Sequence, residues 1–167
     1  MIISNASPLI YLSKINKLDL LKKLFEEIVI PEEVYEEVVI KGKEKGFLDA
    51  YKVEKAVEDN WIKIKENKIE KELEKFAPEI DLGEIAVICL AKKMKPSLIL
   101  LDDASARTIA ESLGFNVKGT LYIILKAYKK RIITKKEAKN LIDELIILGF
   151  RISHEFYINL LNELEKV

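Results

Sequence analysis

The chain has 167 residues, long enough for one domain with a substantial core. A hydrophobic fraction of 49% argues against disorder, and 28 basic residues offset 28 acidic ones to a formal net charge of zero. That balance excludes bulk attraction to nucleic acid, so any such binding has to come from a local basic patch.

Cys89 stands alone within an apolar helical pattern. It rules out a disulfide framework and predicts an intracellular, cytoplasmic setting. The first residues carry no basic segment followed by a long apolar run, so no secretory leader is expected. No apolar run approaches the ~20 residues of a membrane span. Glutamine is absent while Lys, Glu and Ile dominate, the bias of a thermophile protein.

In chain order, Ile2-Ile3-Ser4 predicts a first strand, and Ser7-Pro8 predicts a helix start with Ser7 as N-cap and Pro8 in the first helical position. Leu18 to Phe25 has helical apolar spacing. Ile28-Val29-Ile30 is β-branched, and Pro31 starts a helix through about Ile40. Gly42 and Gly46 mark a turn before a helix from Phe47 to Glu58. Trp61 to Ile64 alternates like a strand with one exposed face, and a charged helix is expected over Ile69-Phe76.

Asp81-Leu82-Gly83-Glu84 opens the most hydrophobic helix, Ile85 to Lys93. Leu98-Leu101 is the next strand, Ala104-Leu113 the next helix with Gly114 beyond its end, and Phe115-Val117 a short strand. Helices over Thr120-Lys130, Thr134-Leu148 (a capping box of Thr134 and Glu137) and His154-Lys166 complete the chain. Strands separated by helices imply a parallel sheet covered on both faces, so the fold class is α/β: a three-layer α/β/α sandwich, rich in helix. With no repeat, linker or low-complexity tract, residues 1–167 read as a single domain.

The chemistry concentrates at strand ends. Leu98-Leu101 runs straight into Asp102 and Asp103, and open α/β sheets place ligands at the C-terminal edge of their strands. Two adjacent carboxylates repel. Asp103 alone would serve as an N-cap and pair with Arg107 one turn on, which leaves the charge of Asp102 for a cation to offset. Asn5 ends the first strand, either as turn chemistry or as a neutral oxygen ligand. Glu37 borders the apolar stripe of Val34, Val38 and Val39, and is either solvated or turned to the site. Asp81-x-x-Glu84 resembles a capping arrangement with Asp81 as N-cap, and Glu84, on the first turn of a buried helix, has to be capped, paired or metal-bound. Such oxygen ligands suit Mg²⁺ or Mn²⁺, with Ser7 and Arg107 as contacts to a substrate phosphate.

His154 is the only histidine, which excludes a histidine metal cage and disfavours a His-dependent triad. Lys126, Lys129, Lys130, Arg131, Lys135, Lys136 and Lys139 make a basic cluster, either a solvated face or a track for a nucleic-acid backbone. A phosphoacceptor receiver domain also displays adjacent aspartates, but after its first strand, where this chain has Asn5.

Five segments in order resemble the PIN-domain proteins, most closely the prokaryotic PIN-like proteins of the DUF3368 type, relatives of the VapC-type toxins. They are Ile3 to Ile10, Ile30-Pro31-x-x-Val34-x-x-Glu37, Asp81 to Val87, Leu101-Asp102-Asp103-x-x-Ala106-Arg107, and Gly114 to Leu121. They span roughly residues 1–131, and the helices of 132–167 lie outside the strongest match. The resemblance implies an acidic pocket holding Mg²⁺ or Mn²⁺ and hydrolysis of single-stranded RNA. It also implies the role of a toxin neutralised by a small antitoxin. Carried over by motif, Asn5 stands at the first acidic position, followed by Glu37, Glu84 and then Asp102 or Asp103, either of the pair matching the family's final acid. Glu37, Glu84 and the Asp102/Asp103 pair are the implied catalytic acids, and Asn5, Glu84 and the same pair the implied metal ligands. The C-terminal helices pack on the core or form a homodimer interface. Where the family usually has Asp, this chain has Asn5, so a catalytically weak or inactive RNA- or protein-binding module is the alternative.

Overall fold

A computed structural model of the chain describes residues 1–76 and 78–166. Contacts divide it into two compact units, Met1–Thr120 and Leu121–Val167. The first unit is built on a parallel sheet in the order β3-β2-β1-β4-β5.

The central strand is β1 (Ile2–Ser4), flanked by β2 (Ile28–Pro31) and β4 (Leu98–Leu100). All three are buried along their length, as the continuous apolar runs require of strands covered on both faces. The edges are β3 (Ile62–Lys65), whose lysines blunt an exposed ladder, and the short β5 (Val117–Lys118). Helices cover the sheet in a three-layer α/β/α arrangement.

From β1 the order runs one way through β2 to β3, then returns to the other side of β1 with β4 and β5. The reversal falls between β1 and β4, and at such a point the connections leave in opposite directions and open a crevice at the strands' C-terminal ends. Asn5 follows β1 and Asp102 follows β4, so both stand on that crevice. Their strands are pinned in register by Ser4 against Leu100, and the Asn5 N–H donates to the Leu100 carbonyl at 2.9 Å.

The helices of the first unit are α1 (Ala6–Lys14), α2 (Asp19–Phe25), α3 (Glu32–Tyr35), α4 (Lys41–Glu44), α5 (Leu48–Glu58), α6 (Lys71–Glu74), α7 (Leu82–Met94) and α8 (Ala104–Ser112). Three differ from the sequence reading. The N-cap of α1 is Asn5, not Ser7, which puts Pro8 third in the helix. Proline is tolerated there because the first four helical N–H groups have no intrahelical partner. The helix after Pro31 does not stop at Ile40: α3 passes through a π-helical turn (Glu36–Ile40) into α4. The charged helix shrinks to α6, because the Glu70 N–H is turned to the Cys89 sulfur and its carboxylate to Lys92.

In the second unit, α9 (Thr120–Lys129) leads to α10 (Lys135–Ile147) and α11 (His154–Glu165). The predicted capping box of Thr134 and Glu137 closes the start of α10, and the Tyr128 hydroxyl donates to the Leu164 carbonyl at 2.9 Å. Part of the basic cluster is spent on ion pairs, Lys129 with Glu163 at 3.3 Å, Lys139 with Asp143 at 3.2 Å, and Lys135 with Glu165. Among the described residues no helix is long and apolar enough to cross a membrane.

Ile3, fully buried in the central strand, is the sharpest test of this core. Ile3→Ala is expected to cost about 2–5 kcal/mol, read as a lower urea midpoint at unchanged m-value.

Candidate metal centre

Gly83 is the point on which the crevice converges. A β-carbon there would lie 3.0 Å from Glu37 Oε2, 3.4 Å from Asn5 Oδ1 and 3.4 Å from Asp81 Oδ1. Oxygens from the end of β1, the π-helical turn and the start of α7 thus crowd one bare backbone position. A cleft of about 230 Å³ opens beside it, with Glu33, Glu37, Lys41, Asp81 and Gly83 in its wall.

Each oxygen is placed by a local rule. Asn5 has extended backbone at the N-cap of α1, yet its side chain does not cap the helix. The residue is 3% exposed, and its Oδ1 is buried with no hydrogen-bond partner. An orphaned buried carbonyl is costly unless something completes it. Glu37 projects from the π-helical turn, a distortion that often marks functional positions.

Asp81 and Glu84 form the capping box of α7. Asp81 Oδ1 accepts from the Glu84 N–H at 2.8 Å, and Glu84 Oε2 accepts from the Asp81 N–H at 3.0 Å. Glu84 is 6% exposed. Burial, followed by the negative charges of Asp81, Asp103 and Glu37, pushes its carboxyl up to about 7, against the pull of the Asp81 N–H. Glu37 is also raised, by burial and then by Asp81, with Lys41 and Lys45 opposing. These charges feel one another, as side chains around one cup must.

The adjacent aspartates part company. Asp103 is the N-cap of α8, where its Oδ1 accepts from the Ala106 N–H at 2.9 Å, and its charge reaches Glu84. Asp102 is turned to Thr120 instead. Its Oδ1 accepts from the Thr120 N–H at 2.7 Å and its Oδ2 from the Thr120 hydroxyl at 2.6 Å. Burial raises its carboxyl, while these two bonds and the nearby Arg107 hold it down. A β-carbon at Gly119 would come within 2.5 Å of Asp102 Oδ1, so glycine is needed for this clasp.

The expected pair of Asp103 with Arg107 does not form among the described residues. Arg107 pairs instead with Glu111 at 4.0 Å, and its charge reaches Asp102. Ser7 lies in the first turn of α1, two residues beyond Asn5.

The donors around Gly83 are oxygens only, a set suited to a hard, hydrated cation. Among the described residues no three His, Cys, Asp or Glu side chains stand close enough to hold an ion by themselves. A cation here has to draw on the Asn5 amide and retain water, as Mg²⁺ commonly does. The unpartnered Asn5 Oδ1 and the bare Gly83 backbone fit that requirement. The oxygens around Gly83 are those of Asn5, Glu37 and Asp81, and the charges of Asp81, Asp103 and Glu37 reach Glu84.

Sequence reasoning singles out Asn5, Glu37, Glu84, Asp102 and Asp103 near strand ends or helix starts, but gives no site role to Asp81, Gly83, Gly119 or Thr120. Asp81 is absorbed by its capping role. Gly83 carries a readable signal, since glycine inside a helical first turn disfavours the helix.

The fold and crevice define the class: a parallel α/β/α protein with acids gathered at the strand-order reversal. The DUF3368 family, a PIN domain, matches residues 1–166, and the chain belongs to it. No curated protein and no solved structure gives a match.

The two aspartates are separable by substitution. Asp102→Asn is expected to lower stability by about 1–3 kcal/mol with Mn²⁺ affinity by calorimetry unchanged. Asp103→Asn keeps a good N-cap, so it is expected to weaken Mn²⁺ binding at an unchanged urea midpoint.

Glu84 generates a pH test. Its folded-state pKa near 7 exceeds the ordinary 4.5, so between these values the native state keeps a proton that the unfolded chain has lost. Stability in metal-free buffer therefore falls as pH rises through that window, by up to about 3 kcal/mol. Glu84→Gln preserves the capping box and removes the charge, so urea midpoints of the variant are expected to lose this component.

Proposed function

We propose that this PIN-domain protein is a divalent-metal-dependent endoribonuclease that hydrolyses phosphodiester bonds in single-stranded RNA. The observation that carries the reading is the convergence of Asn5, Glu37 and Asp81 oxygens on Gly83, at the crevice where the strand order reverses. Mg²⁺ or Mn²⁺, when bound, supplies an acidified water and neutralises charge on the phosphodiester.

The chain's own groups do the rest. Asn5 contributes a neutral carbonyl whose burial pre-positions it. Glu37 contributes a carboxylate from the exposed side of the cup, where substrate enters. After capping, Glu84 keeps Oε1 and Asp103 keeps Oδ2 for the site. With a pKa near 7, Glu84 is able to hold or release a proton at neutral pH. Lys41, in the wall of the cleft, offsets the negative charge of an arriving phosphate. Ser7 offers a hydroxyl from the first turn of α1. Arg107, in this reading, acts through Asp102 and Thr120 rather than on the phosphate. As a nuclease of this family, the protein fits the role of a toxin restrained by a small antitoxin protein.

Asn5 favours a second reading, a module that binds RNA without cleaving it. A neutral amide in place of a carboxylate lowers the charge available to a cation.

Cleavage of a labelled single-stranded RNA with Mn²⁺, and its loss in EDTA, is the deciding measurement. Glu37→Gln and Asp103→Asn are each expected to lower kcat about 10²-fold or more, and Asn5→Asp to tighten Mn²⁺ binding. Cleavage that survives in the Glu37→Gln, Asp103→Asn double variant overturns the nuclease reading. Cleavage that appears only with Asn5→Asp supports the second.

A further inference from the structure

Glu37 belongs to the wall of a second cleft, of about 170 Å³, on its other side. Ile10 and Lys14 of α1, Lys45 after α4, and Phe47 and Asp49 at the start of α5 also line it, together with Val38 and Gly42. The cup and this cleft therefore meet at one carboxylate.

Helix capping does not account for Phe47. It occupies the N-cap of α5, a position that favours Ser, Thr, Asp or Asn, and it provides no side-chain cap. It lines the cleft and is 49% exposed, so part of its side chain is open to solvent there. Lys14 and Lys45 take no part in the ion pairs found among the described residues. Two cations outside those ion pairs, beside a half-exposed aromatic side chain, form a combination that binds single strands: phosphates follow the charges and a base stacks on the ring.

We propose that this cleft is a nucleotide subsite, in which one base of a single-stranded nucleic acid stacks on Phe47 while adjoining phosphates meet Lys14 and Lys45. It rests on the nuclease reading of the cup, since it seats the nucleotide next to the phosphodiester held at Glu37. Asp49 repels phosphate and accepts from the exocyclic amine of a base, which directs the backbone to the lysine side. Stacking on one ring is tolerant of sequence.

The test is fluorescence anisotropy of a labelled single-stranded RNA oligonucleotide with the full chain, over a salt series, beside a cleavage assay with Mn²⁺. Phe47→Ala is expected to weaken binding about tenfold, with Phe47→Trp restoring it and thermal melting unchanged. The Lys14→Ala, Lys45→Ala double variant is expected to reduce the salt slope by about 1.4, from ~0.7 for each phosphate no longer neutralised. Unchanged affinity and salt slope in these variants, or no RNA binding by the unaltered chain, overturns the subsite. RNA bound through Phe47 but never cleaved leaves the subsite standing and removes the nuclease reading. Cleavage by Phe47→Ala at the unaltered KM does the reverse.

Discussion

Pairing of β1 with β4 is the constraint on which the acidic cup depends. These strands are distant in sequence, yet the Asn5 N–H bonds to the Leu100 carbonyl and Ser4 lies opposite Leu100. That register brings the end of one strand beside the end of the other, at the one place in the sheet where neighbouring connections diverge. A slip of one residue would reverse which side chains face each layer, and the continuous burial of both strands makes such a slip costly.

Gathering carboxylates is expensive, and the chain offsets the cost with helix N-termini. Asp81 caps α7, Glu84 lies in the same first turn, and Asp103 caps α8. Each receives a backbone N–H and sits at the positive end of a helix dipole. The same interactions fold the helices and tolerate the negative charge, so capping and cation binding are compatible uses of one side chain. Glu37 has no such support and stands on a π-helical turn with Lys41 and Lys45 nearby. Glu84, the most enclosed, shows the residual cost as a raised pKa.

Asp102 illustrates what adjacency in sequence leaves open. Its neighbour Asp103 shares its chemistry and position after the strand, yet Asp102 is consumed by Thr120 and depends on the absence of a β-carbon at Gly119. The local pattern marks Asp103 as the cap but says nothing of where Asp102 turns, because the deciding partner lies 18 residues further on. Asp81 is the opposite case. Its Asp-x-x-Glu pattern is legible as a capping box, and that box forms. The pattern carries no sign that the capping oxygen also looks across at Glu37 and Asn5.

Local chemistry was enough to specify the strands, most helices, both capping boxes and the α/β/α layering. These follow from apolar periodicity, β-branched runs and cap residues, which act over a few positions. The same reading marks Asn5, Glu37, Glu84 and the aspartate pair as residues out of keeping with plain packing. Only the assembled fold reveals that Gly83 is the meeting point, that Asp102 is bonded to Thr120 while the charge of Asp103 reaches Glu84, and that Phe47 and two lysines line the cleft beside Glu37. Those outcomes depend on strand order and on which side chains meet across the sheet edge, and neither is encoded in any single stretch of the chain.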